Sequence, residues 1–154
     1  MRADAIIALA ARSQLKIVRR TALLAHRESN HDVVLLDTIG ELGKVYSIGD
    51  IIFVGGSLIP HGGHNILEPA AHGKPILVGP HMFNFKDTYA LFSGRGACDT
   101  VYDENDLAKK IRYILNNKQV WQAMSEQTLA IMKENQGAAY KSVMYLKEML
   151  KKTV

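Results

Sequence analysis

Residues Phe53 to Pro80 read FVGGSLIPHGGHNILEPAAHGKPILVGP. This stretch raises the question of what its glycines accommodate. Short apolar strands are predicted at its two ends, and two pairs of glycines separate the first strand from a helix that begins near Asn65. Glycine has no side chain and tolerates positive φ, so such pairs let another group come close to the backbone. The alternative interpretation is a tight turn that binds nothing.

Short runs rich in valine, isoleucine and leucine alternate with helical segments along the whole chain. This alternation is typical of a parallel sheet that is buried on both faces. We therefore predict an α/β fold with a doubly wound parallel sheet, in which ligands bind outside the carboxyl ends of the strands. Strands are predicted at 15–19, 33–38, 51–55, 75–79 and 98–102, and helices at 4–12, 40–47, 65–73, 87–92, 104–115, 120–133 and 138–150.

The composition fits a single domain over residues 1–154, since 47% of the residues are hydrophobic and can fill one core. The net charge is +4, with lysines scattered over the last third, a pattern typical of a solvated face. Cys98 is the single cysteine, which excludes an internal disulfide and favours a reducing compartment. No apolar run reaches the roughly 18–20 residues of a membrane span, so we predict a soluble, cytoplasmic chain.

The two ends of the sequence carry further expectations. Doubly wound domains normally begin with a strand, whereas a helix is predicted first here, so we expect the first strand to be truncated. In the last predicted helix, Val143, Leu146 and Leu150 keep helical spacing, which predicts an apolar face that docks on a partner surface.

The glycine-rich segment matches neither of the two common phosphate loops. The fingerprint G-x-G-x-x-G follows none of the predicted strands, and the Gly-Lys-Ser/Thr of a P-loop is missing. A glycine loop that leads into a helix still presents free backbone N–H groups, which favour an anion. We predict that Gly62 and Gly63 let a phosphate or a sugar carboxylate approach, and that Ser57 and His64 add side-chain hydrogen bonds.

Glu68 allows two interpretations. It completes an Asn-x-x-Glu capping box with Asn65, or its carboxylate accepts hydrogen bonds from a ribose diol; spacing alone favours the cap. The nearby histidines, His61 and His64, lack the spacing and the partners of a zinc site, so we expect no metal. A Ser-His-Asp triad is not predicted either, because the sequence has no G-x-S-x-G elbow.

The segment FVGGSLIPHGGHNILEPAAHGKPILVGPHMFNFKD, with DTIGEL upstream, resembles the 3-deoxy-D-manno-octulosonic acid (Kdo) transferases of Gram-negative lipopolysaccharide synthesis. More loosely, it resembles the donor half of GT-B glycosyltransferases. The resemblance implies a Rossmann-like C-terminal domain that binds the nucleotide sugar CMP-Kdo, without a metal or other cofactor. The intact enzyme is expected to transfer Kdo to a lipid A precursor at the cytoplasmic face of the inner membrane.

The resemblance also implies which residues contact the donor. Glu68 would hold the ribose hydroxyls, and the residues that match the family's CMP contacts are Gly40, Glu41, Leu42, Asn65, Ile66, Leu67 and Glu68. Weaker candidates for the phosphate and the Kdo carboxylate are Ser57, Gly62, Gly63 and His64. The family's catalytic carboxylate and acceptor site belong to an N-terminal half, and a basic PRHP-like segment precedes the matched region. No catalytic residue is therefore expected in this chain, which alone should be inactive.

Other functions stay open on the sequence. The chain is compatible with the donor domain of another GT-B glycosyltransferase, or of an epimerase, that uses a UDP- or GDP-sugar. A non-catalytic GT-B-like domain that binds a partner, or a second copy of itself, through the last helix is the alternative of a different class. A nucleic-acid module is not favoured, because no aromatic residues are interleaved with the basic ones.

Overall fold

The computed structural model describes residues 2–23, 30–137, 143, 144 and 149. The chain divides into two compact units, Met1–Val45 and Tyr46–Val154. The helix predicted at 138–150 lies outside the described residues, apart from three positions. None of the helices among the described residues has both the length and the apolar character of a membrane span.

The first unit contains a helix and a small parallel sheet. Helix α1 (Arg2–Arg12) is followed by strand β1 (Ile17–Arg19), a single 3-10 turn at Arg20–Ala22, and strand β2 (Val33–Leu35). The two strands pair in parallel, with Val18 opposite Val34. Helix α2 (Leu42–Ile48) runs across the division between the units.

The second unit is built on a three-stranded parallel sheet in the order β3-β4-β5. All three residues of the central strand β4 are buried, as predicted for a strand that is covered on both faces. Each strand alternates with helices along the chain. The elements are β3 (Ile52–Val54), α3 (Leu67–Ala70), β4 (Ile76–Val78), α4 (Lys86–Gly94), β5 (Cys98–Thr100), α5 (Glu104–Asn116) and α6 (Lys118–Glu134).

Side chains of β4 point alternately into two hydrophobic clusters, one on each face of this sheet. Ile76 and Val78 pack in one cluster with Phe92 of α4, whereas Leu77 packs in the other with Ile114 of α5. Helix α6 contributes buried residues to both clusters. The sheet is thus covered on both sides, which is the doubly wound arrangement that the sequence predicted.

The structure confirms parallel pairing and the order of the predicted elements within the described residues, with two corrections. The strands are shorter than predicted, and they form one two-stranded and one three-stranded sheet in place of a single sheet. Asp103 is the N-cap of α5, and its carboxylate accepts a hydrogen bond of 2.8 Å from the Asp106 N–H. Cys98 is buried, and burial raises the pKa of its thiol to about 12.

Gly79 marks the tightest backbone contact of the second unit. A Cβ at this position would lie 2.3 Å from both the carbonyl carbon and the carbonyl oxygen of Ser57. Backbone atoms cannot swing aside as a flexible side chain can. The exits of β3 and β4 can therefore approach this closely only because residue 79 lacks a side chain.

We predict that Gly79→Ala lowers the free energy of unfolding by about 1–3 kcal/mol, the range found for overpacking a well-packed interior. Urea denaturation followed by circular dichroism measures the loss. Gly55→Ala is the matched control, because a Cβ there meets nothing within 4 Å and no positive φ is needed. Equal stability of the two variants would contradict the proposed backbone contact.

Candidate functional site

Backbone hydrogen bonds connect the two loops that follow β3 and β4 at the carboxyl ends of these strands. The Gly63 N–H donates to the Gly56 carbonyl at 2.9 Å, and the His81 N–H donates to the Ser57 carbonyl at 3.0 Å. The Asn84 N–H donates to the carbonyl of Gly62 at 3.3 Å. The glycine-rich loop is therefore folded back onto the strand exits and held at both ends. Its position agrees with the rule that ligands of doubly wound sheets bind at this edge.

The second glycine pair of the loop packs against the segment that follows β4. Both residues have positive φ, +90° at Gly62 and +72° at Gly63. A Cβ on Gly62 would lie 2.2 Å from the Asn84 amide nitrogen, and one on Gly63 would lie 2.3 Å from the Met82 sulfur. The pair thus accommodates neighbouring protein groups. Since the Gly63 N–H already donates to Gly56, it is not free to bind the predicted phosphate.

Ser57 serves the fold. Its side chain is fully buried. The hydroxyl donates to the Val54 carbonyl at 2.5 Å and accepts from the Gly79 N–H at 2.8 Å, so it joins the exits of β3 and β4. The prediction that Ser57 binds a phosphate or a Kdo carboxylate does not fit this geometry, because its hydrogen bonds are used inside the protein.

The segment Asn65–Glu68 forms a sharp corner at the start of α3. The Asn65 side-chain oxygen accepts a hydrogen bond of 3.0 Å from the Leu67 N–H, and Ile66 is fully buried. Asn65 therefore forms an Asx turn just before α3. It is not the N-cap that the capping box predicted, because the N-cap is Ile66 and makes no side-chain cap hydrogen bond. The second half of the capping box is absent, because Glu68 is exposed and its carboxylate has no hydrogen-bond partner among the residues that the structure describes.

Helix α3 is much shorter than the predicted helix at 65–73. It spans Leu67–Ala70, and a turn with Gly73 at φ +62° follows. A single turn supplies little macrodipole, so any anion here depends on individual N–H groups. The Glu68 N–H lies in the first helical turn and has no intrahelical carbonyl to bind. Leu67 is 42% exposed beside it.

The histidines of the loop do not form a metal site. His61 and His64 are exposed, and the His64 ring lies near Gly56, where a Cβ would be 3.2 Å from its Nε2 atom. Among the described residues, no three histidine, cysteine, aspartate or glutamate side chains are grouped so that they could hold a metal ion. The His64 side chain is exposed, so a ligand can reach it from solvent.

In the first unit, the DTIGEL segment forms its own network at the carboxyl end of β2. Gly40 has φ +85°, and the exposed Leu42 opens α2. The Glu41 carboxylate accepts hydrogen bonds from the Thr38 hydroxyl and, at 3.1 Å, from the Arg20 guanidinium. The Thr38 hydrogen bond and the charge of Arg20 hold the pKa of the Glu41 carboxyl below its ordinary value.

Sequence reasoning missed the two residues that this segment binds. Arg20 pairs with Glu41, and Thr21 donates to the Asp37 carboxylate from its N–H at 3.0 Å and from its hydroxyl at 2.7 Å. The signal was available, because Arg20 and Thr21 directly follow β1, just as DTIGEL follows β2. Parallel neighbouring strands bring both exits to the same edge.

We predict that Thr38→Val raises the pKa of Glu41 towards its ordinary value, because the largest cause of the lowered pKa is removed. A carboxyl with a lowered folded-state pKa stabilises the fold above its ordinary pKa, and this contribution is lost as the pH falls through the lowered value. An NMR titration of the Glu41 carboxyl carbon measures the shift. Thr38→Ser keeps the hydroxyl and should leave the pKa low; a raised value in both variants would contradict the hydrogen bond.

We also predict that Ser57→Ala destabilises the chain by about 1–3 kcal/mol, the cost of leaving the buried Gly79 N–H without its acceptor. Thermal unfolding of Ser57→Ala and of Ser125→Ala provides the comparison. Ser125 lies in α6, is half-buried and makes no hydrogen bond through its side chain to a described residue, so its replacement should change stability little. Equal melting temperatures would show that the Ser57 bridge is dispensable.

Curated relatives share sequence along this chain. It is 33% identical over 154 residues to the 3-deoxy-D-manno-octulosonic acid transferase of Haemophilus influenzae, with 99% of this chain and 36% of the relative covered. It is 35% identical over 136 residues to the protein of the same name from Bordetella pertussis, with 88% of this chain and 32% of the relative covered. The chain spans about a third of the length of these relatives. No protein-family model matches it.

A solved structure shares the fold. The C-terminal CMP-Kdo binding domain of WaaA from Acinetobacter baumannii is similar, with a TM-score of 0.78 and 29% sequence identity. The match covers 84% of this chain and 67% of that chain. The α/β fold with parallel sheets, predicted as the Rossmann-like C-terminal half of a GT-B enzyme, is thereby confirmed.

Proposed function

We propose that this chain, which belongs to the 3-deoxy-D-manno-octulosonic acid (Kdo) transferase family, is the domain of a glycosyltransferase that binds CMP-Kdo. The proposal covers the predicted single nucleotide-sugar domain over residues 1–154. Transfer of Kdo to a lipid A precursor, at the cytoplasmic face of the inner membrane, is proposed for the intact enzyme. The acceptor site and the catalytic base are proposed to lie in the region of the relatives' sequences that this chain does not match.

The observation that carries the proposal is the Glu68 carboxylate. It is exposed at the carboxyl edge of the sheet, on a turn that the Asn65 side chain fixes, and it makes no hydrogen bond to a described residue. A carboxylate accepts hydrogen bonds at both oxygens, which suits the two adjacent hydroxyls of a ribose. Charge-assisted hydrogen bonds of this kind are stronger than neutral ones, so Glu68 is proposed to hold the ribose of CMP.

Backbone groups beside Glu68 are proposed to bind the phosphate. The Glu68 N–H is left without an intrahelical partner at the first turn of α3, and the exposed His64 side chain lies two residues before Ile66. In glycosyl transfer from CMP-Kdo, an acceptor hydroxyl attacks the anomeric carbon and CMP leaves as an anion. N–H donors that bind the phosphate more strongly as charge develops would lower the barrier.

The DTIGEL contacts are proposed separately, because they rest on the resemblance. On that resemblance alone, Gly40, Glu41 and Leu42 are proposed as CMP contacts. The Arg20 and Thr38 hydrogen bonds fix the orientation of the Glu41 carboxylate, so a ligand would meet an ordered side chain. The reaction is proposed to need no metal, and CMP binding that is equal with and without EDTA would support that part.

We predict that Glu68→Ala weakens CMP binding by about tenfold to a hundredfold, the worth of hydrogen bonds to a charged group. The free energy of unfolding should change by less than about 0.5 kcal/mol, since the side chain is exposed and makes no hydrogen bond or ion pair with a described residue. Isothermal titration calorimetry with CMP and then UMP measures affinity and base preference.

Glu104→Ala is the matched control, because Glu104 is also an exposed glutamate in the first turn of a helix, α5. It should leave CMP binding unchanged. If Glu68→Ala binds CMP as tightly as the wild type, Glu68 is not the ribose ligand. If UMP binds as tightly as CMP, the alternative donor domain for a UDP-sugar is favoured.

A further inference from the structure

We propose that a pocket beyond the carboxyl end of β4 binds the acidic sugar of the donor, with Lys86 as the cation that meets the sugar carboxylate. This inference rests on the proposed function and deepens it, because it assigns a sugar site to residues outside the predicted CMP contacts. The pocket is lined by Pro80, His81, Met82, Phe83, Lys86 and Tyr89.

The pocket has the size of a ligand site. Its volume is about 350 Å³, within the range of roughly 300–1,000 Å³ that small-molecule sites occupy. It follows β4 directly, at the edge where doubly wound sheets bind their ligands. An octulosonic acid is a single sugar unit with one carboxylate, so a pocket at the lower end of this range suits it.

Two aromatic rings form the walls and are held in place. Phe83 is 59% exposed although it is a large apolar side chain, and its ring lies so close to Gly62 that a Cβ there would be 2.7 Å from its Cε2 atom. The Tyr89 hydroxyl forms a hydrogen bond of 2.6 Å with the Thr100 hydroxyl. Exposed aromatic faces offer an apolar surface for the C–H groups of a sugar ring, and their fixed positions keep the entropic cost of binding low.

The charge of the lining is positive. Lys86 is exposed and makes no ion pair with any residue that the structure describes, and His81 adds an imidazole. Among the described residues, no carboxylate lines the pocket; the neighbouring Asp87 lines a different cavity, between α4 and α6. An ammonium without a counter-ion, next to aromatic walls, is complementary to an acidic sugar and not to a neutral one.

The pocket shares residues with the glycine-rich loop. Met82 lines the pocket and contacts Gly63, and the N–H of His81 donates to the Ser57 carbonyl. Gly62 leaves room for the ring of Phe83, so a side chain at residue 62 would displace a wall of the pocket. The same loop that leads into Asn65–Glu68 therefore also shapes the proposed sugar site.

Calorimetric titration of wild-type and Lys86→Met chains with CMP, and with freshly prepared CMP-Kdo, tests the proposal. We expect Lys86→Met to weaken CMP-Kdo binding by about tenfold, the loss of one charged contact in a partly exposed site, and to leave CMP binding unchanged. Lys86→Arg should retain most of the affinity for CMP-Kdo. Lys118→Met, which removes an exposed lysine at the start of α6, should affect neither ligand.

Each other result decides against the proposal. An equal loss of CMP and CMP-Kdo binding would place Lys86 at the nucleotide, and no loss of either would exclude it from the site. If the wild-type chain binds CMP-Kdo no more tightly than CMP, the proposed sugar pocket is wrong, but the proposed function stands. A wild-type chain that binds neither ligand would overturn both.

Discussion

The second unit depends on the close approach of two strand exits. Gly79 lies against the Ser57 backbone with no room for a Cβ, and the Ser57 hydroxyl bridges the Val54 carbonyl and the Gly79 N–H inside the protein. Hydrogen bonds from Gly63 and His81 then fix the two loops that leave these exits. If the exits moved apart, the glycine-rich loop would lose its contacts with the segment after β4. Those contacts are made by Met82, Phe83 and Asn84, which pack against Gly62 and Gly63.

This constraint separates residues that build the edge of the sheet from residues that are free to bind. Gly62, Gly63, Gly79 and Ser57 use their space or their hydrogen bonds within the protein, so replacing them is expected to alter the fold and the site together. Glu68 and Lys86 are exposed and make no hydrogen bond or ion pair with a described residue, so replacing them should alter binding alone. A site with this division keeps its ligand groups on a rigid support, which is how precise positioning is obtained.

The order of the elements was predictable from the sequence, because it depends on local patterns. Runs of valine, isoleucine and leucine mark the strands, and the Asp103 cap follows from a residue type at one position. The reason for each glycine was not predictable, since sequence shows that a small residue is needed but not which neighbour requires it. The pairing of Arg20 with Glu41 was missed for the same reason, because 21 positions separate the partners and only the parallel pairing of β1 with β2 brings them to one edge.

The same argument separates Glu68 from Ser57, two residues that the sequence predicted as donor contacts. Both are polar residues of the same glycine-rich segment, and both can hydrogen-bond a nucleotide by chemistry alone. Burial distinguishes them: Ser57 sits beneath the exit of β4 with its hydroxyl satisfied, whereas Glu68 follows a buried residue, Ile66, by two positions on a single helical turn and points to solvent. A motif therefore identifies the segment that forms a site, and the packing beneath that segment determines which of its side chains remain available for a ligand.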